Sequence, residues 1–216
     1  VNWMVVESED DKKYICKHLK DEIKRNVKFL PMGSCATVAV LYNYLHTPIE
    51  QGHDNNAFKG KIFCLIDTDI QGVKFSEKSD VGKIMRIRRL QSNNQQIELH
   101  HIDSTVHYPT EIEEALVPKA FYSALSKCIE QSNEQDIKEI FSKFKFDNNA
   151  FNSYIKGDDS IIYLESGQKI EGNPKHLKDQ LHKFIDHNKA RICDLYCEQE
   201  ISEKPDWIMK IEEYLK

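Results

Sequence analysis

Residues 61–72 read KIFCLIDTDIQG, an apolar run that stops abruptly at two aspartates, Asp67 and Asp69. A continuous run of this kind, without polar alternation, predicts a strand that is buried on both faces, as in a parallel sheet. Sheets of that type build their ligand sites at the carboxyl ends of the strands. The two carboxylates therefore follow the strand at the place where such a sheet would hold a ligand.

The chain before this run alternates between strand and helix patterns. We predict strands over 2–7, 27–32 and 61–67, with helices over 10–26 and 35–46 between them and a loop from Pro48 onward. The order strand, helix, strand, helix, strand favours an α/β fold with a parallel sheet flanked by helices. Glu7 then ends the first strand as Asp67 ends the third, and Gly33 forms the turn after the second.

The pattern changes beyond residue 72. We predict a hairpin over 83–91 and 96–103, and helices over 110–131, 136–144, 176–197 and 205–215. Thr110 and Glu113 have the spacing of a capping box for a helix that begins there. Residues 145–175 show no clear pattern. The predicted organisation is an α/β core at 1–108, followed at 109–216 by an acidic segment and a mostly helical C-terminal elaboration.

Composition excludes several classes of protein. Hydrophobic residues make up 40% and charged residues 30% of the 216 residues, as in globular proteins. No apolar stretch approaches the roughly 20 residues of a membrane span, and no signal peptide is evident. Six cysteines without a C-x-x-C pair favour reduced thiols. We therefore expect a cytoplasmic protein with no membrane partner.

The net charge of −5 does not favour nucleic-acid binding by bulk charge. Any DNA contact must depend on metal ions or on a local basic patch. Arg86 and Arg88 share one face of a predicted strand and are candidates for such a patch. The alternative for both is ordinary solvated charge.

Three pairs of acids lie at positions suited to a metal site: Glu7 with Asp11, Asp67 with Asp69, and Glu111 with Glu113. Carboxylates brought together repel one another, and a hard divalent cation relieves that repulsion. Mg²⁺ and Mn²⁺ prefer oxygen ligands, and such ions support hydrolysis of phosphate esters.

Each acid also has a simpler interpretation. Asp11 could stabilise the first turn of a helix, and Asp67 with Asp69 could belong to a turn. Glu113 could be the capping-box acid, and Glu111 could be solvated. Histidine and cysteine are also zinc ligands, but the spacing of these four residues matches no familiar zinc motif: His182, His187, Cys193 and Cys197.

Three segments in order, VVESEDD, FLPMG and LIDTD, resemble the Toprim domain of topoisomerases, bacterial primases and nucleases of the overcoming-lysogenization-defect (OLD) family. Glu7 and Asp11 match the acids of the first Toprim motif, usually E-G-x-x-D, with Ser8 in place of the glycine. Gly33 matches the glycine after the second strand. Asp67 and Asp69 match the D-x-D motif.

Two later segments resemble the OLD-like branch of Toprim nucleases. YPTEIEEAL resembles the acidic segment after the core, and Glu111 and Glu113 match its two acids. Lys189, in HNKARICDLYC, resembles a C-terminal lysine that stabilises charge on the scissile phosphate. Lys183 is a nearby rival for that role.

The resemblance implies a metal-dependent DNA endonuclease that hydrolyses phosphodiester bonds with one or two Mg²⁺ or Mn²⁺ ions. Its catalytic residues would be Glu7, Asp67, Asp69 and Lys189. The implied ligands are Glu7, Asp11 and Asp67 for one ion, and Asp69, Glu111 and Glu113 for a second.

Relatives of this type serve in phage defence or DNA repair, coupled to an ATPase. No G-x-x-x-x-G-K-[ST] motif occurs here, and the chain starts abruptly without Met. We expect an excised part of a longer chain, whose ABC-type ATPase is a missing domain or a separate subunit.

The alternatives are an inactive Toprim module for DNA binding or assembly, or a topoisomerase or primase activity. The oligomeric state stays open, with a homo-oligomer among the options.

Overall fold

The run that ends before Asp67 forms the central strand of a five-stranded sheet. The computed structural model describes residues 1–50, 60–67, 82–89, 97–101, 110–143 and 174–216. The strands are β1 (Asn2–Val6), β2 (Val27–Pro31), β3 (Ile62–Ile66), β4 (Gly82–Arg89) and β5 (Ile97–His101). The helices are α1 (Glu9–His18), α2 (Asp21–Lys24), α3 (Cys35–Glu50), α4 (Pro118–Gln131), α5 (Gln135–Ser142), α6 (Pro174–His187), α7 (Lys189–Cys197) and α8 (Asp206–Leu215), with a 3-10 helix at Ile112–Ala115.

The sheet is mixed but mostly parallel, in the order β2-β1-β3-β4-β5. β1 pairs in parallel with β2 and β3, and β3 pairs in parallel with β4. β5 runs antiparallel to β4, which confirms the predicted hairpin. All five residues of β3 are buried, as its continuous apolar sequence predicts. The α/β class is therefore confirmed, with an antiparallel strand at one edge.

Helices bury the sheet because its side chains are apolar on both faces. On one face, Val38 and Tyr42 of α3 pack against β1, β3 and β4 in a cluster with Val5, Cys64 and Ile84. On the other, α1 packs on β1 and β2 through residues such as Tyr14 and Ile15. Each fully buried aliphatic side chain contributes about 1.5–3 kcal/mol. Burial of the sheet from both sides holds the strand ends in fixed positions.

Three of the predicted helices differ from those in the structure: two are divided and one is longer. The helix predicted over 10–26 is divided into α1 and α2, because Leu19 and Lys20 both have ψ of 144°. The helix predicted over 176–197 is divided into α6 and α7 at Asn188, whose φ and ψ are −118° and 17°. α3 instead continues past Pro48 to Glu50, where the sequence predicts a loop.

The helix predicted to begin at Thr110 begins eight residues later. α4 starts at Pro118, and a 3-10 helix precedes it. Proline lacks an amide hydrogen and disfavours helical backbone at the residue before it, so Val117 is extended, with ψ 113°. The capping-box interpretation of Thr110 and Glu113 is therefore wrong.

The described residues divide into two compact units. The sheet unit takes its residues from Val1–Leu90, Gln96–Ile112 and Lys204–Lys216, and the helical unit from Glu113–Glu203. In the helical unit α4 packs on α7, where the Tyr196 hydroxyl accepts a hydrogen bond from the Val117 amide at 3.2 Å. α5 packs on α6 in the same unit. The domain boundary predicted between residues 108 and 109 stays a prediction.

Among the described residues, no helix combines the length and the apolar character needed to cross a membrane.

Helix α8 belongs to the sheet unit although it ends the chain. The Asn2 side-chain amide donates to the Leu215 carbonyl at 2.6 Å, and the Tyr214 hydroxyl donates to the Ile62 carbonyl at 3.1 Å. Glu212 is 4% exposed and accepts hydrogen bonds from the Lys20 amide at 2.8 Å and from Lys204 Nζ at 2.6 Å. The break between α1 and α2 thus provides the amide that α8 binds.

The pKa of Glu212 is lowered. Burial alone would raise it, but the hydrogen bonds from Lys204 and from the Lys20 amide outweigh burial. Nearby, burial and the charge of Lys204 lower the pKa of His18 to about 4, so its imidazole is neutral at pH 7.

We expect Glu212→Gln to lower the free energy of unfolding at pH 7 by about 1.5–3 kcal/mol, because glutamine keeps the shape but loses the charge. A carboxyl with a lowered folded pKa stabilises above its unfolded pKa, near 4.5, and loses that contribution as pH falls through the folded value. The difference from wild type should therefore shrink as the pH falls below about 4.5. Urea unfolding at pH 7 and pH 4 measures this. Glu213→Gln, on the adjacent exposed residue, is the matched control. An equal loss in both variants would contradict the stabilising role of the Glu212 contacts with Lys20 and Lys204.

Candidate functional site

Glu7 joins the ends of three adjacent parallel strands. Its carboxylate oxygen Oε1 accepts a hydrogen bond from the Asp67 backbone amide at 2.8 Å. Its backbone carbonyl accepts one from the Gly33 amide at 2.7 Å. Glu7 directly follows β1 and Asp67 directly follows β3, and both are half-buried. The structure therefore brings two of the predicted acids to one edge of the sheet, side by side.

The turn after β2 requires its glycine. Gly33 has φ of +84°, a left-handed conformation that side chains other than glycine rarely adopt. This conformation directs the Gly33 amide to the Glu7 carbonyl. Ser8, by contrast, has extended backbone with φ −135° and ψ 165°, so the glycine that Toprim domains usually carry there is not needed for this backbone.

Asp11 has a structural role in helix α1. The Ser8 hydroxyl accepts from the Asp11 amide at 3.1 Å, and Asp11 Oδ2 accepts from the Ser8 amide at 2.9 Å. This reciprocal pair is a capping box, and it keeps Asp11 buried at 8% exposure. The simpler interpretation of Asp11 as a helix-stabilising acid is supported. Because an ionised carboxylate offers about four lone-pair sites, the cap does not preclude a metal role.

The structure describes the side chain of only one of the three predicted residues Asp69, Arg86 and Arg88. Asp69 and the side chain of Arg88 lie outside the described residues. Arg86 pairs in register with Ile66 of β3 and His100 of β5, and it is 5% exposed. Its interpretation as solvated charge is wrong, because β4 is an inner strand. A role of Arg86 and Arg88 in DNA binding stays a prediction.

The helical unit brings Glu113 and Lys189 together. Glu113 lies in the 3-10 helix and is 5% exposed, and Lys189 begins α7. Lys189 Nζ is 3.8 Å from Glu113 Oε1 and 3.7 Å from Asp186 Oδ1. A lysine between two acids keeps a positive charge fixed at one place. The rival Lys183 is exposed on α6, and its Nζ has no carboxylate within 4 Å among the described residues.

Two residues beside Lys189 were not predicted to have a role. His182 Nδ1 lies 3.4 Å from Asp186 Oδ2, so α6 presents an imidazole and a carboxylate on one face. The signal was present in the sequence, because residues four apart on a helix share a face. Glu111, half-buried, directly precedes the 3-10 helix and falls within the residue range of the sheet unit.

These two groups differ in chemistry. At the strand ends, carboxylates of Glu7 and Asp67 provide the oxygen ligands that Mg²⁺ prefers. In the helical unit, an imidazole, two carboxylates and an ammonium group meet, and imidazole is a ligand that suits zinc, iron or nickel rather than Mg²⁺.

Comparison with known proteins gave no match. No protein-family model, no curated protein and no solved structure is similar to this chain at a significant level. The Toprim resemblance therefore depends on the sequence segments that suggested it.

Glu7→Ala and Glu7→Gln should separate the structural role of Glu7 from a metal role. Alanine removes the acceptor for the Asp67 amide and should cost about 1–3 kcal/mol of unfolding free energy. Glutamine retains an acceptor oxygen and should cost much less, while removing the charge that a cation requires. Chemical denaturation of both variants measures this. Equal destabilisation by the two changes would contradict the structural role.

Proposed function

We propose that this chain is a metal-dependent DNA endonuclease of the OLD-like Toprim type that hydrolyses phosphodiester bonds. The observation that carries the proposal is the 2.8 Å hydrogen bond between Glu7 Oε1 and the Asp67 amide. This bond fixes two acids from strands 60 residues apart in the sequence at the carboxyl end of a mostly parallel sheet. Ligand sites concentrate at that end of such sheets.

The residues at this edge fit a hard divalent cation. Glu7 and Asp67 provide oxygen donors from adjacent strands, and Asp11 is the further ligand that the Toprim resemblance implies for this ion. When bound, such an ion activates water and stabilises the leaving oxygen of a phosphodiester. The protein contributes the fixed geometry: the Asp67 amide orients the Glu7 carboxylate, and the Gly33 amide holds the backbone beneath it.

Lys189 has the role of a fixed cation in this proposal. Glu113 and Asp186 hold its ammonium group by attraction from two sides. A positive charge held in advance stabilises the negative charge that develops on the phosphate at the transition state. Asp69, Glu111 and Glu113 are the acids that the Toprim resemblance implies for a second ion. An ABC-type ATPase, as a domain or subunit, is the proposed partner, with DNA as substrate.

Plasmid nicking in Mg²⁺ or Mn²⁺ tests the activity. We expect wild type to nick DNA, and Asp67→Asn to lose about 100-fold or more, because a ligand charge is removed. The backbone amide that binds Glu7 is unchanged in this variant, so the fold should be retained. Asp21→Asn, an exposed acid on α2, is the matched control and should nick like wild type. Equal nicking by Asp67→Asn and wild type would overturn the assignment of Asp67.

A comparison of two lysines tests the fixed cation. Lys189→Met should reduce the nicking rate at saturating DNA by about tenfold or more, with little change in DNA affinity. Lys183→Met, one helix away and exposed, should retain the rate. Thermal melting of both variants checks their folding. A larger loss in Lys183→Met would move the role to the rival lysine.

A second candidate function is a non-catalytic Toprim module that binds DNA or assembles with a partner. The capping box of Asp11 favours it, because one of the predicted ligands already stabilises a helix. DNA binding by wild type and Asp67→Asn, with nicking by neither in Mg²⁺ or Mn²⁺, would support this alternative.

A further inference from the structure

A cavity of about 480 Å³ lies in the sheet unit beside helix α8. Its walls come from β3, β4, β5 and α8. Phe63 and Lys83 are the second residues of β3 and β4, so the cavity is at the amino-terminal half of these strands. Glu7 and Asp67 follow the opposite, carboxyl ends. The volume suits a small organic ligand, and the proposed nuclease function makes no use of it.

The floor of the cavity is apolar. Phe63 is 2% exposed and Leu99 is 9% exposed, and Met85 of β4 lies between their strands. The ring of Tyr214 meets the ring of Phe63 at a centroid distance of 5.5 Å and an angle of 55°. The Tyr214 hydroxyl bond to the Ile62 carbonyl fixes that ring on the sheet. Met85 and Tyr214 are half-buried, so a flat apolar body in the cavity would contact these two side chains.

The rim of the cavity is basic. Lys83 Nζ lies 4.9 Å from the centroid of the Tyr214 ring, and Lys61 Nζ lies 5.5 Å from the same centroid. Lys210 lines the rim from α8, and Glu213 is the one acid among the described lining residues. Within the described part of the chain, Lys83 faces an aromatic ring rather than a carboxylate. Among the described residues its ammonium group makes a weak cation–π contact, and an anion would attract it more strongly.

We propose that this cavity binds a mononucleotide, with the base against Met85 and Tyr214 and the phosphate between Lys83 and Lys210. A planar base suits an aromatic and apolar surface. Ammonium groups on the rim complement a phosphate. Neither half of the ligand alone uses both surfaces, so a molecule that carries both the ring and the charge should bind more tightly than either half.

Methionine methyl signals localise the ligand. The chain has four methionines, at positions 4, 32, 85 and 209. With ¹³C-methyl methionine, titration with AMP should shift the Met85 signal saturably, while the signal of Met4, fully buried in β1, stays in place. Adenosine and inorganic phosphate, titrated separately, should each bind at least about tenfold more weakly than AMP.

Three variants make the test specific. Lys83→Gln and Lys210→Gln should each weaken AMP binding by about five- to tenfold. Lys28→Gln is the matched control, since Lys28 also stacks on an aromatic ring, that of Trp3 at 5.6 Å, but lies on β2 at the other edge of the sheet. It should bind AMP like wild type. Absence of a Met85 shift at 10 mM AMP, about the weak limit for such a site, would overturn the proposal. So would equal affinity for inorganic phosphate, or equal weakening by Lys28→Gln.

Discussion

The hydrogen bond from the Asp67 amide to the Glu7 carboxylate is the constraint on which the carboxyl edge of the sheet depends. The first residue after a strand has no sheet partner for its amide, and a buried amide without a partner is costly. Glu7 meets that need at β3 and, through its carbonyl, at the turn after β2. One residue therefore fixes the relative positions of the ends of three strands. Side chains at this edge of the sheet are held in a fixed geometry as a result.

The same side chains have structural and candidate chemical roles. Asp11 caps a helix, Glu7 links strands, and Glu113 pairs with a lysine while almost fully buried. Buried carboxylates are costly unless donors or cations meet them, and here backbone amides and Lys189 do so. Such an arrangement holds acids in place before any ion arrives. It also means that the loss of stability and the loss of ion binding must be measured separately in every variant.

The sequence predicts the sheet well because its signals are local. The continuous apolar run of β3 requires burial on both faces, and the positions of Glu7 and Asp67 follow from the strand ends. Helix breaks were less visible. Pro118 is a local signal for the late start of α4, and Asn188 is a residue type that often precedes a helix. Leu19 carries no such signal.

The candidate site in the helical unit could not be predicted from the sequence, because it depends on packing between distant residues. Lys189 and Glu113 are 76 positions apart in the sequence, and only packing determines that their charges meet. The environment of Arg86 is a similar case: its polar sequence neighbourhood suggests solvent, whereas strands on both sides bury it. The spacing of His182 and Asp186 does predict that they share one face of a helix. It does not show which of the many such pairs in the chain has a role.

The return of α8 to the sheet affects the order in which the protein assembles. Contacts such as Asn2 with Leu215 and Lys20 with Glu212 join segments that are separated by nearly the whole chain. Contacts between distant segments form slowly, because a long loop must close first. During synthesis the helical residues 113–203 emerge as one contiguous stretch before α8 does. The sheet unit therefore cannot be completed until residues 204–216 have emerged, and until α8 docks, the face that it covers is exposed to chaperones and to other nascent chains.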